Sequence, residues 1–358
     1  MSNPKTDLLG LLPQELKIFL SEMGEPSYRA EQIFSWLHQK RARSFDEMTN
    51  LPGSLRAKLN EICEIRSVNL QKRLVSSIDG TVKYLYGLWD GEMVEGVLLR
   101  HHHGNSLCIS SQVGCRIGCS FCASTLGGLS RNLSPGELLG QVYAAADDIH
   151  PEKLGSIVMM GVGEPLDNLD NVCRFLELLS HPKGFGMSLR HLSLSTCGLT
   201  DGIYKLAEKR YPLTLSVSLH AADDALRNEL MPINRKHDIS ALLKACRDYF
   251  AATGRRVSFE YALIRGKNDS PGDAAKLAAL LKGMNCHVNL IPLNNVDERA
   301  LSRSDSKTVG AFHNELKRLG ISATVRRELG ADISAACGQL RRSPLEAEPN
   351  YKSTGGTL

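Results

Sequence analysis

Apolar positions divide the chain into three regimes. Between residues 11 and 62 they recur at helical spacing. Leu16, Phe19, Leu20 and Met23 fall at i, i+3, i+4 and i+7, and Gly24 closes that run. A second helix over residues 28–39 would bury Ile33, Phe34 and Leu37 and runs into Lys40, Arg41 and Arg43. Pro52 opens a turn before a short helix near residues 55–59. The basic run is either a solvated face or a phosphate-holding patch. From residue 66 to residue 100 the period changes to two. Apolar and polar residues alternate around an Asp79-Gly80 turn, which predicts short antiparallel strands, with Glu95 between Val94 and Gly96 in the last of them.

Beyond residue 122, short apolar runs alternate with amphipathic helices. Ser134, Pro135 and Glu137 supply a cap, a first-turn proline and a third-position carboxylate for a helix reaching about residue 147. Strands are predicted at 157–160, 191–195, 213–219, 257–264, 288–291 and 324–326. Between them lie helices near 171–179, 203–208 and 238–250, one opening at Ser270-Pro271, and one carrying Val309, Phe312 and Leu316 that stops at Gly320. Strands separated by helices predict a parallel sheet, and about six such units predict an α/β fold in the form of an open, partial barrel. A ligand would lie beyond the C-terminal strand ends. Gly163-Glu164, Ser195-Thr196-Cys197, Ser218-Leu219-His220 and Asn294 gather there. Gly161 and Gly163 would let a ligand approach closely. Glu164 can accept from an ammonium group, and Ser218 and Asn294 can bond a carboxylate or a ribose. The tail at 343–358, with two prolines and a glycine pair, is expected to be disordered.

Composition narrows the class. The 358 residues are 42% hydrophobic and 23% charged, which suits one large α/β domain and a small accessory one. A net charge of +4 permits nucleic-acid binding through local patches without demanding it. No apolar run approaches the roughly 18 residues of a membrane span, and residues 1–10 suggest no signal peptide. Ten cysteines in an unsecreted chain point to metal or redox chemistry in a reducing cytosol.

That chemistry concentrates at residues 108–122. Cys115, Cys119 and Cys122 stand in a C-x3-C-x2-C arrangement. Three thiolates on one loop can hold a [4Fe-4S] cube and leave one iron open. An open iron can chelate the amino and carboxylate groups of S-adenosylmethionine, and an electron from the cube then releases a 5′-deoxyadenosyl radical. A structural zinc knot would need a fourth protein ligand, and no second cysteine pair exists. His101, His102 and His103 stand in a row, cannot all face one metal, and are expected in a solvated loop. Phe121 could shield a cluster from water. Cys337 lies among small residues and a glycine, which suits an exposed thiol. The alternative for Cys337 and Cys108 is the ordinary one of a small core hydrophobe, and Cys63, Cys173, Cys246 and Cys286 are read that way.

Together with the cysteine loop, Gly-Val-Gly-Glu-Pro at 161, Ser-Leu-His at 218, Met-Pro-Ile-Asn at 231, Val-Asn-Leu-Ile-Pro at 288 and Ala-Ala-Cys-Gly-Gln-Leu at 335 resemble the RlmN/Cfr family of radical-SAM adenine methyltransferases. The resemblance covers about residues 16–340. It implies a partial (β/α)6 radical-SAM barrel at 101–342, a helical RNA-binding accessory domain at 1–65, a short β linker at 66–100 and a disordered tail at 343–358. It implies that Cys115, Cys119 and Cys122 hold the cluster, and that Gly163, Glu164, Ser195, Ser218, Leu219, His220 and Asn294 line the S-adenosylmethionine site. Cys337 would be the methyl-carrying cysteine, Cys108 its partner and Glu95 a proton acceptor. Cys197 departs from the serine often found after Ser-Thr. The reaction implied is methylation of carbon 2 of adenine, at position 2503 of 23S rRNA and position 37 of tRNA, using two S-adenosylmethionine molecules. Cys337 would take one methyl, lose a hydrogen from it to the radical, join it to carbon 2, and be released by Cys108 through a disulfide that an outside reductant resets. Arg326, Arg327, Arg341 and Arg342 would either form a solvated rim or place the RNA backbone. The sister activity, methylation of carbon 8 of the same rRNA adenine with antibiotic resistance, is the alternative. The paired alanines before Cys337 and the N-terminal module look closer to the carbon-2 branch. An external electron donor of the flavodoxin kind, no membrane partner, a monomeric state and a cytoplasmic location complete the expectation.

Overall fold

In the computed structural model, residues 5–102 and 104–342 are described. The predicted tail at 343–358 and His103 lie outside the described residues. A two-residue strand, β1 (Thr6–Asp7), pairs in parallel with β2 (Cys63–Glu64), which closes the N-terminal helices into a loop of chain. Those helices are α1 (Pro13–Glu22), α2 (Tyr28–His38) and α3 (Gly53–Ile62). Proline at the first turn and the Glu15 carboxylate, which accepts from the Leu12 N–H at 2.8 Å, fix the start of α1. Leu16, Leu20, Ile33, Phe34, Leu37, Leu55 and Leu59 form the buried seam, with Phe19 and Met23 at its margin.

The remaining elements are β3 (Asn69–Val75), β4 (Val82–Gly87), β5 (Met93–His101), β6 (Gly104–Cys108), β7 (Gln112–Gly114), β8 (Leu129–Asn132), α4 (Pro135–Asp148), β9 (Leu154–Met159), α5 (Leu169–Ser180), β10 (Leu192–Thr196), α6 (Thr200–Lys209), β11 (Thr214–Ser218), α7 (Asp224–Leu230), α8 (Ile239–Thr253), β12 (Val257–Leu263), α9 (Pro271–Leu281), β13 (Cys286–Pro292), α10 (Ser306–Arg318) and β14 (Ala323–Val325). The helical module docks on α4 and the segment after α5. His38 Nδ1 lies 2.8 Å from the Tyr143 hydroxyl, and Phe34 meets His181 edge-on.

Ten strands form one sheet in the order β14-β13-β12-β11-β10-β9-β6-β5-β4-β3. From β6 through β14 the neighbours are parallel, whereas β3 to β6 form an antiparallel meander on one edge. The two end strands do not pair with each other, so the sheet is an open, partial barrel, as expected. All seven residues of β12 are buried, the signature of a parallel strand covered on both faces.

Three readings are corrected. The first barrel strand, β6, escaped the pattern because its leading half is Gly-Asn-Ser. Asn105 is nevertheless buried, and its side-chain amide donates to Glu152 at 2.8 Å. The expected alternation in β4 is replaced by near-complete burial. One face packs Tyr84 and Tyr86 toward α4, and the other carries Lys83 beneath the C-terminal segment. His101 is not in a loop but ends β5, half-buried.

Candidate active site

The cysteine loop hangs from the small β7–β8 hairpin. The Cys115 N–H donates to the Gly128 carbonyl at 2.9 Å, and Gly114 has a left-handed backbone at φ +79, where any Cβ would collide with that carbonyl. The loop is then pinned from three sides. Ser120 N–H donates to Leu230 O at 2.9 Å, Ala123 N–H to Gly338 O at 2.8 Å, and Arg299 donates to the Cys122 carbonyl at 3.2 Å.

Cys115, Cys119 and Cys122 line one cavity of about 980 Å³. Burial pushes all three thiols up, Cys115 to about 12, and the neighbouring sulfurs push in the same direction. Thiols in such surroundings ionise only against a cation, so the donor set fits an iron–sulfur group. Among the described residues no three His, Cys, Asp or Glu side chains close on a single metal ion. A cube, whose irons sit apart, does not require them to. Phe121 also lines the cavity, with its ring edge-on to His220 at 4.8 Å between centroids.

The opposite wall comes from the ends of β9 to β13, with Gly161, Gly163, Glu164, Ser195, Ser218, His220 and Asn294 facing in. The two glycines are demanded first by the chain itself. A Cβ at Gly161 would meet the Ile109 carbonyl at 2.7 Å, and one at Gly163 (φ +108) would meet Gln112 at 2.6 Å. Glu164 is buried, and its oxygens already accept from the N–H groups of Cys197 at 2.6 Å and Leu166 at 3.0 Å. Burial pushes its carboxyl pKa up. His220 sits at φ +56 and accepts from the Ala262 N–H on Nδ1 at 2.9 Å. Burial, aided by Arg227, pushes its pKa down to about 3, so the ring is neutral and carries its proton on Nε2. Leu219 is fully buried and does not face the cavity. It contributes backbone, with its N–H bonded to the Glu260 carbonyl and its own carbonyl to Arg227. Asn294 donates to the Cys337 carbonyl at 2.9 Å.

Two residues here were not picked out from the sequence. Arg227 on α7 is fully buried and donates to the carbonyls of Cys197, Ser218, Leu219 and His237 and to the Asn234 side chain. It ties the ends of β10 and β11 together. A charge on the Leu230 face of a short helix was the available signal. Glu260, inside β12, faces the cavity, and its Oε2 is buried without a hydrogen-bond partner, 3.7 Å from the Arg326 guanidinium. It was hidden within an apolar strand.

Cys337 is exposed and lines this cavity and a second, wider one of about 1630 Å³. Cys108, Arg100, His101, His102, Arg326 and Arg327 line the second cavity. Cys108 is buried at the end of β6, and burial, with Cys337 nearby, pushes its thiol up to about 12. The Arg326 guanidinium donates to the Met160 sulfur at 3.5 Å, and its pKa is raised, against the lowering effect of burial, by Glu260 and the sulfurs of Cys337 and Cys108. Of the four arginines flanking Cys337, Arg341 and Arg342 are engaged with Glu298 at 2.7 Å and Glu92 at 2.6 Å. Both are thus paired within the protein while their side chains stay 38% exposed. Glu95 lines neither cavity. It is buried against Lys83 at 2.7 Å and accepts the Arg341 N–H at 2.9 Å.

Residues 6–65 match the family described as "Ribosomal RNA large subunit methyltransferase N-terminal domain", and residues 109–278 match the "Radical SAM superfamily". A "Probable dual-specificity RNA methyltransferase RlmN" of Alkaliphilus oremlandii is 50% identical over 96% of this chain and 99% of its own length. A protein of the same name from Bacillus thuringiensis subsp. konkukian is 47% identical over 97% of this chain and 96% of its own. The crystal structure of a radical SAM methyltransferase from Sphaerobacter thermophilus superposes with a TM-score of 0.89 at 43% identity, covering 94% of this chain and 99% of that one. A [4Fe-4S] cluster and S-adenosylmethionine are the cofactors of such enzymes, and the buried thiol set and the cavity beside it fit both. The sheet, the cysteine loop and near-full-length identity to these relatives lead to one assignment: the chain belongs to the RlmN family of radical SAM methyltransferases.

Proposed function

We propose that this protein methylates carbon 2 of adenine in 23S rRNA and in tRNA through a methylated Cys337. The reading rests on one observation: Cys337 lines both cavities, so one sulfur can face a methyl donor on one side and a base on the other. Carbon 2 of adenine lies between two ring nitrogens and does not attack a sulfonium methyl, whereas a thiolate does. When bound, the cluster supplies the electron that makes a radical from S-adenosylmethionine.

Every other task falls to the chain. Cys115, Cys119 and Cys122 hold the cluster. Glu164, Ser195, Ser218, His220 and Asn294 bind and orient S-adenosylmethionine, with Gly163 and the Leu219 backbone shaping the wall. Arg326 lines the second cavity with Cys337 and places a positive charge there. Cys108, once deprotonated, attacks the Cys337 sulfur. The carbon–sulfur electron pair leaves with the transferred carbon, which takes up a proton to complete the methyl group, a disulfide forms, and an outside dithiol reduces it by exchange. The target base is drawn out of its stack into the second cavity. Residues 1–65 are read as an RNA-binding accessory domain, 66–100 as the link and 101–342 as the catalytic part. The same reading includes a flavodoxin-like donor, a monomer and a cytoplasmic site of action, and no helix among the described residues is long and apolar enough to cross a membrane. The carbon-8 alternative is not favoured, since the relatives cited above carry the RlmN name.

The test is to react anaerobically reconstituted protein with 23S rRNA and tRNA and resolve the product nucleosides. 2-Methyladenosine from both RNAs is expected. Methylation at carbon 8 alone overturns the reading.

A further inference from the structure

We propose that a groove on the outer side of the cysteine loop is where the electron donor docks, and that the donor it fits is a small acidic protein carrying a flavin. The proposal rests on the reading of Cys115, Cys119 and Cys122 as the cluster ligands. The groove, of about 1650 Å³, is walled by the starts of α5 and α6 and by the turn at residues 232–235. It shares no lining residue with the second cavity, and Cys337 does not reach it. With the cluster cavity it shares one residue, Ile117. Ile117 stands midway between Cys115 and Cys119 in sequence and is half-buried. One side chain therefore separates the groove from the space beside the cluster cysteines.

The loop is open to solvent on this side. The Arg116 side chain is 65% exposed, and a Cβ placed on exposed Gly118 would meet nothing nearer than Pro232 at 3.8 Å. Electron transfer between proteins weakens steeply with the gap to be crossed, so a donor gains by sitting where the wall is thinnest. The inner cavity's opposite wall is formed by strand ends, and its side toward Cys337 is taken by the methyl carrier and the base.

Charge says what sits there. Lys205, Arg235 and Lys236 line the groove, are exposed, and form no ion pair among the described residues. Three carboxylates line it too. Asp167 is spent on Arg116 and on the Gln112 amide, which donates to it at 2.9 Å. Asp170 and Asp201 sit in the first turns of α5 and α6, where they offset the positive ends of those helices. The surplus is positive, and a positive face steers an acidic partner into register. RNA is acidic as well, but the groove lies apart from the cavity that takes the base. Asp170 and Asp201 also interrupt the cations, which suits the separate side chains of a folded surface better than a continuous phosphate chain. Docking makes no covalent bond. The reduced flavin loses one electron and the cluster gains it.

The experiment compares full-length reconstituted wild type with the triple variant Lys205→Glu/Arg235→Glu/Lys236→Glu, and its probe is a bacterial flavodoxin. Flavin fluorescence anisotropy reads the binding of oxidised flavodoxin at low and at high salt. 5′-Deoxyadenosine release is then driven either by enzymatically reduced flavodoxin or by dithionite, a small ion that needs no docking surface. Wild-type binding is expected to be in the weak range of electron-transfer pairs and to fade as salt rises. The variant is expected to bind about 10-fold more weakly and to lose about 10-fold in flavodoxin-driven rate at low donor concentration. Its dithionite-driven rate and its KM for RNA should match the wild type.

A wild type that does not bind flavodoxin, or a variant that keeps the flavodoxin-driven rate, overturns the proposal. Equal loss with both reductants would assign the three cations to the fold, and a raised KM for RNA would assign the groove to RNA; either result overturns it. The neutral variant Lys205→Gln/Arg235→Gln/Lys236→Gln, expected to fall between wild type and reversal, keeps the test readable if the reversal disturbs folding. Should 2-methyladenosine never form while 5′-deoxyadenosine still follows flavodoxin, the function reading fails and the docking site stands.

Discussion

The two cavities that meet at Cys337 are built by different means. The inner one is walled by strand ends of a parallel sheet. Its polar groups are fixed by short-range backbone bonds, such as Cys197 N–H to Glu164, and by the five-acceptor Arg227. The outer one borrows a wall from residues 330–342, which reach the site by long-range fastenings. Gly330 N–H donates to Asp79, Asp332 accepts from Ser77, Leu340 O accepts from Ser124, and Arg342 pairs with Glu92. The first wall is a property of the sheet. The second is a strap fastened to the sheet from outside it.

The sharpest break between them is at the cysteines. Cys337→Ala should abolish RNA methylation while leaving the iron–sulfur absorbance of reconstituted protein at the wild-type level. Cys119→Ala should abolish both. If Cys337→Ala lost the cluster too, the cavities would not be separable. Next in size is Cys108→Ala, which should still join carbon to RNA but fail to let go. A covalent RNA–protein adduct on a denaturing gel is the expected sign, and normal turnover would remove Cys108 from that role.

A smaller effect tests the inner wall. Arg227→Met strips donors from four carbonyls in a buried place, so it should destabilise the protein by roughly 3 kcal/mol, read as a fall in denaturant midpoint. A change within the scatter of surface substitutions would mean that water replaces the arginine at no cost.

The last effect, smallest near neutral pH and growing as pH falls, concerns the seam between the helical module and the sheet. Burial, with His181 adding to it, pushes the His38 pKa down from 6.5 to about 3. The folded value lies below the unfolded one, so the unfolded chain takes the proton first. The stability tied to neutral His38 is therefore complete above pH 6.5 and lost as pH falls toward 3. His38→Gln should flatten the stability–pH curve in that window by about 1.4 kcal/mol per pH unit, measured by urea unfolding. An unchanged slope would place His38 in contact with solvent.

The same contrast explains what the sequence could and could not reveal. Helical spacing located α1 and α2 and their buried leucines because local periodicity and burial agree there. The strand–turn residues Glu164, Ser195, Ser218, His220 and Asn294 were legible because a parallel sheet gathers its strand ends at one rim. Glu164 was read by its charge alone, and its backbone donors were not foreseeable. β6 was lost because polar residues are buried in it, and Arg227 because a lone arginine on a short helix looks like surface. Least legible was the strap. Lys83 and Ser334 are 251 residues apart, and nothing in the spacing of either announces that they touch.

The central claim is that carbon crosses from one cavity to the other on the Cys337 sulfur. The direct measurement is mass spectrometry of the peptide containing Cys337, from oxygen-protected, reconstituted protein incubated with S-adenosylmethionine. One added methyl on that sulfur is predicted in the absence of RNA, and its loss on addition of RNA. A Cys337 that is never methylated while the RNA product accumulates would contradict the account.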